Sequence, residues 1–337
     1  MLENNSPWRA VVIGCGRIGA DVASLVTGSS RIQCHAKAYV DSPHTTLSGF
    51  CDLDRDALQR AGKNWGVSAC FVDVEKLLTE VRPEIVSICT PVNARLQLLE
   101  TVLAASSVRA VLMEKPIASS KAEAAEICRL AADSEATLSI NFIRRFPSVY
   151  GDIGRRIRDG SFGRIQHISG YYTKGIINNG GHILDLLRWW FGSPLRAWPL
   201  SPLREAIDPD LDFAVEFAKN VVGWVRCLDA QSYNIFELDI LGTGGRIVLR
   251  DLGHQLDEYS ILDATAQHGF KQLALKPVST HIDLAGALKV AIEDLISAVE
   301  AGRKPKSSVE DGCAALALSL DLIEAAKKTN FRELPRG

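Results

Sequence analysis

The segment TKGIINNGGHILDLLRWW, residues 173 to 190, holds three side chains whose types and spacing could do acid–base chemistry. His182 lies at the expected start of a helix, Asp185 follows one helical turn later, and Asn178 lies four residues before the histidine. An imidazole can take a proton from an alcohol near neutral pH. Asp185 could orient that imidazole or pair with Arg188. A histidine here can equally be a helix cap or a packed polar residue.

A second candidate for chemistry is Lys115, which lies between Glu114 and Pro116 in VLMEKPIASS. The apolar run before it predicts a strand, and the proline after it keeps the lysine out of a helix. A lysine at the end of a strand could orient a substrate hydroxyl or donate a proton to a carbonyl. The alternative is a solvated loop lysine that pairs with Glu114.

The glycine-rich stretch VVIGCGRIGADV predicts a dinucleotide-binding loop, because it follows a strand and has the spacing G-x-G-x-x-G. Gly14 permits the tight turn, Gly16 lets the backbone approach a pyrophosphate, and Gly19 lets helix and strand pack closely. Arg17 could add a positive charge there, and Ile18 completes the loop. The amides of the following helix start would face the anion. A purely structural glycine turn is the alternative.

Polar residues at two further strand ends fit the same ligand. Asp52 ends the second predicted strand, where an acidic residue commonly hydrogen-bonds the adenosine ribose. It follows Gly19 by 33 residues against roughly 20 in the usual fingerprint, which predicts an inserted loop or a lengthened helix. Its charge would repel a 2′-phosphate and favours NAD, while Arg55 keeps NADP possible. Thr90 and Pro91 end a later strand and are expected to line the nicotinamide side.

Alternating strand and helix patterns over residues 1–140 predict a parallel sheet with crossover helices, a Rossmann dinucleotide-binding domain. From residue 141 to 337 the pattern changes to one helix, a strand, the His182 helix, consecutive strands with tight turns and two late helices. That order predicts an α+β domain with an open, mainly antiparallel sheet for substrate binding and oligomerisation. The fold class is therefore α/β followed by α+β.

Composition narrows the class of protein further. A chain of 337 residues with 47% hydrophobic and 23% charged residues and a net charge of -2 fits a two-domain protein without a nucleic-acid-binding surface. Charges interrupt the apolar stretches, and the N-terminus lacks a signal segment, so no membrane association and a cytoplasmic location are expected. The eight cysteines are scattered without metal-ligand spacing, which predicts reduced thiols, no disulfide and no metal.

The combination of these motifs resembles the Gfo/Idh/MocA oxidoreductase family over nearly the whole chain. The family's second motif usually reads Asp-x-Gly-x-His-x-x-Asp, and this sequence has Asn178 where the first Asp is common. The motifs that carry the resemblance are GCGRIG, Asp52, TP at 90 and 91, EKP at 114 to 116, INFIRRF at 140 to 146, and NNGGHILDLLRWWFG at 178 to 192.

The resemblance implies an NAD(P)-dependent dehydrogenase that moves hydride between nicotinamide and a secondary alcohol or ketone of a sugar, sugar derivative or cyclitol. It also implies a homodimer or homotetramer. Lys115 and His182 would be catalytic and Asn178 would position the reacting oxygen, while Glu114 and Lys115 would adjoin the cofactor. The implied substrate contacts are Lys115, Asn178, His182 and Asp185. Arg144, which could contact an anionic substrate group, and Asn141 are second-rank candidates from the segment INFIRRF.

Two other classes of function stay open at this point. A redox-silent member could use NAD and a sugar pocket for regulation, which Asn178 would allow. An enzyme with tightly bound NAD could cycle that cofactor, either between two sugars or during glycoside cleavage.

Overall fold

The structure is a computed structural model, and it divides into two compact units. The first comprises Met1–Pro147 and Asp283–Ala314, and the second comprises Ser148–Ile282 and Ala315–Gly337. The residues that the structure describes are 6–22, 33–204, 206–263 and 269–331.

The division differs from the contiguous one expected from the sequence, because residues 283–314 return to the first unit. The carbonyl of Ser307 accepts hydrogen bonds from the Ile140 N–H at 3.1 Å and from the Ser139 hydroxyl at 2.8 Å. These bonds tie the late segment to the end of a Rossmann strand, a long-range pairing that the order of predicted elements does not show.

Six parallel strands form the sheet of the first unit, and this confirms the predicted Rossmann domain. The strands are β1 Trp8–Ile13, β2 Thr45–Cys51, β3 Cys70–Phe71, β4 Ile85–Ile88, β5 Ala110–Met113 and β6 Thr137–Ile140. Their order in the sheet is β3-β2-β1-β4-β5-β6. All residues of β4 and β5 are buried, as expected of parallel strands with both faces covered.

Several helices of the first unit begin at a side chain that accepts backbone N–H groups, as at Asp54, Asp73 and Ser120. Asp54 accepts the N–H groups of Asp56 and Ala57 at 2.9 and 3.1 Å. The helices are α1 His35–Asp41, α2 Arg55–Trp65, α3 Val74–Val81, α4 Arg95–Leu103 and α5 Lys121–Asp133, with α8 Ala287–Ala301 and the start of α9 Val309–Lys328 from the late segment.

The helix that the glycine motif begins is interrupted by an insertion. The N–H of His35 donates to the carbonyl of Ile18, and the N–H of Ala36 donates to the carbonyl of Gly19, both at 2.9 Å. His35 follows Ile18 by 17 residues where an α-helix needs 4, so the chain inserts 13 residues between the first turn and α1. Subtracting these 13 reduces the 33 residues between the motif and the acidic strand end to the usual 20. Residues 23–32 of the insertion lie outside the described residues.

The second unit contains a larger sheet, with eight strands among the described residues. The helices that belong to this unit are α6 Ser148–Arg158, α7 Gly181–Phe191 and the later part of α9. The strands are β7 Ile165–Tyr172, β8 Arg196–Pro199, β9 Phe213–Phe217, β10 Val221–Cys227, β11 Phe236–Gly242, β12 Gly245–Arg250, β13 Gln255–Tyr259 and β16 Val278–His281, with β14 Ile261–Leu262 and β15 Gln272–Leu273 forming a separate pair. Their order in the larger sheet is β16-β13-β12-β11-β7-β10-β9-β8.

The mainly antiparallel character of this sheet was predicted and is confirmed. One pair, β10 with β7, is parallel, and the other pairs in the sheet are antiparallel. Along β11 buried and half-buried residues alternate, so one face of the sheet belongs to the core. Trp224 on β10 and Tyr171 on β7 are exposed by 56% and 39% on the other face.

The expectation that all eight cysteines are reduced is wrong for two of them. Cys128 on α5 and Cys313 on α9 form a disulfide within the first unit. They are 185 residues apart in the sequence, so no spacing motif could reveal that the fold brings their sulfurs together.

Candidate active site

The three glycines of the motif differ in what a side chain at each would meet. Gly14 has φ +97°, and a Cβ there would lie 2.8 Å from the carbonyl carbon of Cys89. A Cβ on Gly19 would collide with the carbonyl oxygen of Gly14, whereas a Cβ on Gly16 would meet no described residue within 4 Å. Gly14 and Gly19 are therefore required by packing, and Gly16 borders the open space that a pyrophosphate needs.

Asp52 joins the end of β2 to the glycine loop. Its carboxylate accepts the N–H of Cys15 at 2.5 Å and the N–H of Asp54 at 2.9 Å. Because a carboxylate has about four acceptor positions, these two bonds leave capacity for ribose hydroxyls. Arg17 is exposed and Ile18 half-buried in the same loop.

Lys115 follows β5, and Thr90 and Pro91 follow β4, its parallel neighbour in the sheet. The carboxyl ends of parallel strands lie at one edge, so these residues share the edge where such sheets bind ligands. Lys115 is half-buried, and its peptide bond to Pro116 is cis. The Oγ1 atom of Thr90 is buried and makes no hydrogen bond to any described residue, which leaves it available to a ligand.

Arg95, the first residue of α4, connects the loops that follow β4 and β5. Its Nε and one terminal nitrogen donate to the carbonyl of Thr90 at 3.1 and 2.9 Å. The other terminal nitrogen donates to the carbonyls of Glu114, at 2.6 Å, and Pro116. The side chain is 6% exposed, and this burial lowers the pKa of the guanidinium, although the charge of Glu114 opposes the shift. Sequence reasoning missed this residue.

Glu114 points into a buried polar network beneath the same edge. Its Oε1 accepts hydrogen bonds from His35 Nε2 at 3.0 Å and from Asn141 Nδ2 at 2.6 Å, and His35 Nδ1 lies 2.7 Å from the Ser87 hydroxyl. Burial alone would raise the pKa of Glu114, but the bond from His35, its charge, the bond from Asn141 and the charge of Lys115 together lower it. The Glu114 carboxylate is thus engaged with protein groups, and its predicted contact with the cofactor stays a prediction.

Asn141 and Arg144 follow β6, at the carboxyl edge of its strand. Both are buried, at 4% and 7% exposure, and Arg144 belongs to the short 3-10 helix Ile143–Arg145. The Oδ1 atom of Asn141 makes no hydrogen bond to any described residue. Of these two second-rank candidates, Asn141 therefore has a buried acceptor that a ligand could use.

In the second unit, Asn178 and His182 lie on a continuous helical stretch in which a π-helical turn, Gly175–Gly180, leads into α7. The carboxylate of Asp208 accepts the N–H groups of Ile177 and Asn178 at 2.9 and 2.7 Å. These acceptors satisfy N–H groups that a helix start leaves without partners. π-Helical turns occur frequently at functional sites.

A second carboxylate and a glycine define how this turn begins. The N–H of Gly175 donates to Asp210 at 3.0 Å, and Gly175 has φ +79°. A Cβ at Gly175 would collide with the carboxylate of Asp208. The turn that carries Asn178 is therefore fixed by local backbone geometry and by two carboxylates from the loop before β9.

His182 and Asp185 lie on the first turns of α7, and both are buried, at 6% and 1% exposure. The ring of His182 meets the ring of Phe236 edge to face, with centroids 6.4 Å apart. Asn178 is half-buried. Lys174 and Tyr171 just before the turn are exposed, whereas the hydroxyl of Tyr172 donates to the carbonyl of Leu211 within the core.

The structure brings the predicted residues together in two groups, one in each unit. Three of the residues that the sequence did not point to act on the backbone: Arg95 on carbonyls, Asp208 and Asp210 on N–H groups. His35 was also missed, because the insertion separates it from the glycine motif. For Arg95 the sequence offered one signal, a charged residue five positions after Thr90 at the start of a helix.

The residues of the first unit fit a nicotinamide dinucleotide. The open space at Gly16 suits a pyrophosphate, Asp52 retains acceptor capacity for ribose, and Thr90 Oγ1 at the same sheet edge has no hydrogen-bond partner among the described residues. The fold and these features define a dinucleotide-binding protein of the Rossmann class.

The first part of the chain matches a known protein-family model. Residues 8–142 match the family model GFO_IDH_MocA, described as an oxidoreductase family with an NAD-binding Rossmann fold. This match agrees with the resemblance inferred from the motifs over residues 8–142, and its NAD-binding Rossmann fold supports a nicotinamide dinucleotide as the cofactor.

Individual relatives are distant. D-glucoside 3-dehydrogenase of Escherichia coli is 24% identical over 194 residues, covering 54% of this chain and 51% of that protein. The chain thus spans about half the length of this relative. The scyllo-inositol 2-dehydrogenase (NAD(+)) of Bacillus subtilis is 23% identical over 272 residues, an alignment that covers 73% of this chain and 75% of that protein.

Solved structures show the same fold. An oxidoreductase from Agrobacterium radiobacter, in complex with NAD+, L-tartaric acid and magnesium, has a TM-score of 0.74 at 17% identity. The alignment covers 96% of this chain and 97% of that one. At this identity the likeness concerns the fold.

Within the described ranges, no helix combines the length and apolar character needed to span a bilayer.

Proposed function

We propose that the protein is an NAD-dependent dehydrogenase or reductase that acts on a secondary alcohol or ketone of a sugar, sugar derivative or cyclitol. The observation that carries the proposal is the position of Lys115. The lysine follows β5 at the carboxyl edge of the Rossmann sheet, next to the Thr90 loop after β4. A cationic side chain at that edge can stabilise negative charge on a reacting oxygen.

The proposed mechanism divides the work among three side chains. When bound, the nicotinamide supplies a hydride acceptor at its C4 position. His182 takes the proton of the substrate hydroxyl, because imidazole is the side chain best suited to accept a proton near neutral pH. Lys115 polarises the same oxygen, and the carboxamide of Asn178 orients it by hydrogen bonds. In the direction of reduction His182 returns the proton.

The proposal assigns the other predicted residues to binding. Asp52 accepts hydrogen bonds from ribose hydroxyls, and its negative charge disfavours the 2′-phosphate of NADP. Arg144 and Asp185 contact the substrate, and Pro91 lines the nicotinamide side. Where this family commonly has an aspartate, this chain has Asn178, and a carboxamide cannot accept a proton as a carboxylate can. His182 and Lys115 therefore carry the acid–base work.

The names of the matching relatives favour catalysis over silent cofactor binding. The curated relatives are called dehydrogenases or reductases of glucosides, apiose, inositols and anhydrofructose. A redox-silent regulator and an enzyme that cycles bound NAD are therefore less favoured. Within the class, these names support a sugar or cyclitol as the substrate of this chain.

We further propose a homodimer or homotetramer that uses the open face of the eight-stranded sheet. Trp224 and Tyr171 expose apolar area on that face, which favours burial against a second copy. The cytoplasmic location expected from the sequence stays a prediction.

The decisive experiment follows nicotinamide absorbance while purified protein meets a panel of sugars, sugar acids and inositols with NAD or NADP. We expect turnover on at least one polyol, with a higher kcat/KM for NAD than for NADP. Lys115→Met and His182→Ala should each lower kcat by about 10² to 10⁴ while NADH still binds. The matched control is Lys63→Met, because Lys63 is an exposed lysine on α2, and the kcat of this variant should be native. Near-normal turnover of Lys115→Met would refute the role of Lys115.

A further inference from the structure

We infer that Arg95 is a positioning residue for catalysis, which sets the placement of Lys115 by fixing the backbone on both of its sides. This inference rests on the proposed function of Lys115. Arg95 itself is buried, at 6% exposure, and the inference gives it no contact with substrate.

The geometry that carries the inference is a set of four hydrogen bonds from one guanidinium. Two go to the carbonyl of Thr90 at 3.1 and 2.9 Å, and the other two go to the carbonyls of Glu114, at 2.6 Å, and Pro116. The last two carbonyls belong to the residues immediately before and after Lys115. One planar group therefore fixes the distance between the β4 and β5 loops and the direction in which the chain passes through Lys115.

These carbonyls need such a donor for a physical reason. Strand ends at the carboxyl edge present backbone carbonyls that the sheet no longer satisfies, and buried carbonyls without a partner are costly. Arg95 is positioned to satisfy them because it is the first residue of α4, directly after the Thr90 loop. The nearby Glu114 carboxylate compensates the buried positive charge, as its effect on the Arg95 pKa indicates.

Arginine is required here because the acceptors lie in different directions. A guanidinium has five N–H donors in a rigid plane, so it can bond two loops at once, whereas an ammonium is a point donor on a flexible stem. Arg95→Lys should keep the positive charge and lose the simultaneous connection. Arg95→Met should lose both.

The test combines turnover, NADH binding and hydrogen exchange of the intact protein. We expect Arg95→Met to lower kcat by about 10²-fold, since a misplacement of about 1 Å can have that effect. Arg95→Lys should lower kcat by roughly tenfold. In both variants the KM for substrate should change by less than about threefold, because the lost interaction acts in the transition state.

Hydrogen exchange gives a readout that does not depend on turnover. Backbone amides of residues 113–118 should exchange at least about tenfold faster in Arg95→Lys than in the native protein, since a local opening there becomes easier. Arg303→Lys is the matched control, because Arg303 also donates to backbone carbonyls in the first unit, those of Asp294 and Lys304. Its kcat and its exchange in residues 113–118 should stay native.

The outcomes separate the two proposals. Native exchange in residues 113–118 of a folded Arg95→Lys variant, or a kcat within about twofold of native in Arg95→Met, would overturn the inference. If Arg95→Met does not fold, Arg95→Lys alone decides. If Lys115→Met turns over normally, the proposed role of Lys115 fails, whereas the exchange measurement still decides whether Arg95 fixes this loop.

Discussion

The two candidate regions are built with opposite charges for the same physical reason. In the first unit, the ends of parallel strands present carbonyls, and the guanidinium of Arg95 satisfies them. In the second unit, the start of a helical stretch presents N–H groups, and the carboxylates of Asp208 and Asp210 satisfy them. A strand end therefore recruits a cation and a helix start recruits an anion, whatever chemistry the neighbouring side chain performs.

The two regions also differ in burial, and this difference should determine how much a substitution in each lowers the free energy of unfolding. Glu114 and Arg95 are 7% and 6% exposed, and Glu114 is the common acceptor for His35 and Asn141. Asp208 and Asp210 are only half-buried, so water can replace part of what they supply. We expect substitutions in the first region to affect stability more than substitutions in the second.

The largest effect is expected for Glu114→Leu. This change leaves His35 and Asn141 without their acceptor and Arg95 without a nearby negative charge, and breaking a buried pair of this kind typically costs about 3–5 kcal/mol. Urea unfolding should show a free energy of unfolding lower by that amount. Glu126→Gln, on the exposed face of α5, is the control and should unfold at the native midpoint. A Glu114→Leu variant as stable as the native protein would show that the network is not structural.

A smaller effect is expected for Asp208→Ala, because the N–H groups of Ile177 and Asn178 lose an acceptor at a half-buried position that water can reach. Removing a carboxylate that caps a helix start typically costs about 0.5–2 kcal/mol. The KM for substrate should rise, because Asn178 belongs to that turn, whereas NADH binding should stay native. Asp208→Asn keeps one acceptor oxygen, so its stability and its KM for substrate should lie between those of the native protein and of Asp208→Ala. A change in NADH affinity comparable to the change in KM would contradict this separation of roles.

The pair Gly16→Ala and Gly19→Ala sharpens the distinction between folding and binding within the first unit. An alanine methyl at Gly16 meets none of the described residues within 4 Å, so the variant should fold normally and bind NADH about tenfold more weakly, a difference of about 1.4 kcal/mol. A methyl at Gly19 collides with Gly14, so that variant should lose stability instead. Unaltered NADH affinity in a folded Gly16→Ala variant would exclude Gly16 from the pyrophosphate site.

In the first region, the sequence predicted which residues lie at the site, but it did not predict the hydrogen bonds that hold the loops in place. The glycine spacing and the strand ends at Asp52, Thr90 and Lys115 are local patterns, and the sheet order follows from βα alternation. Arg95 acts on main-chain carbonyls, which no side-chain pattern reports. His35 was hidden because 13 inserted residues separate it from the helical turn that it continues.

In the second region, the resemblance to a family motif predicted His182 and Asn178 as site residues. It did not predict the π-helical turn or the two carboxylates that bind its N–H groups. Asp208 and Asp210 lie about 30 residues downstream in a loop, and their partners are backbone N–H groups. The return of residues 283–314 to the first unit and the Cys128–Cys313 disulfide have the same cause, since both depend on long-range packing. Local patterns cannot encode such pairings.

The smallest expected effect is a pH dependence that should appear in the first region. The pKa of Glu114 is lowered in the folded protein because the bonds from His35 and Asn141 and the charge of Lys115 outweigh burial. A carboxylate whose folded pKa lies below its unfolded value stabilises the fold above the unfolded value, and that stabilisation is lost as pH falls through the folded pKa. From an ordinary value of 4.5 downward, the native protein should therefore lose stability faster than Glu114→Gln. The two unfolding free energies, measured by urea titration from about pH 6 to about pH 3, should converge as pH falls. Parallel curves would mean that Glu114 has the same pKa in the folded and unfolded chains, and the contrast between a buried ionic network and half-buried capping carboxylates would then lose its electrostatic basis.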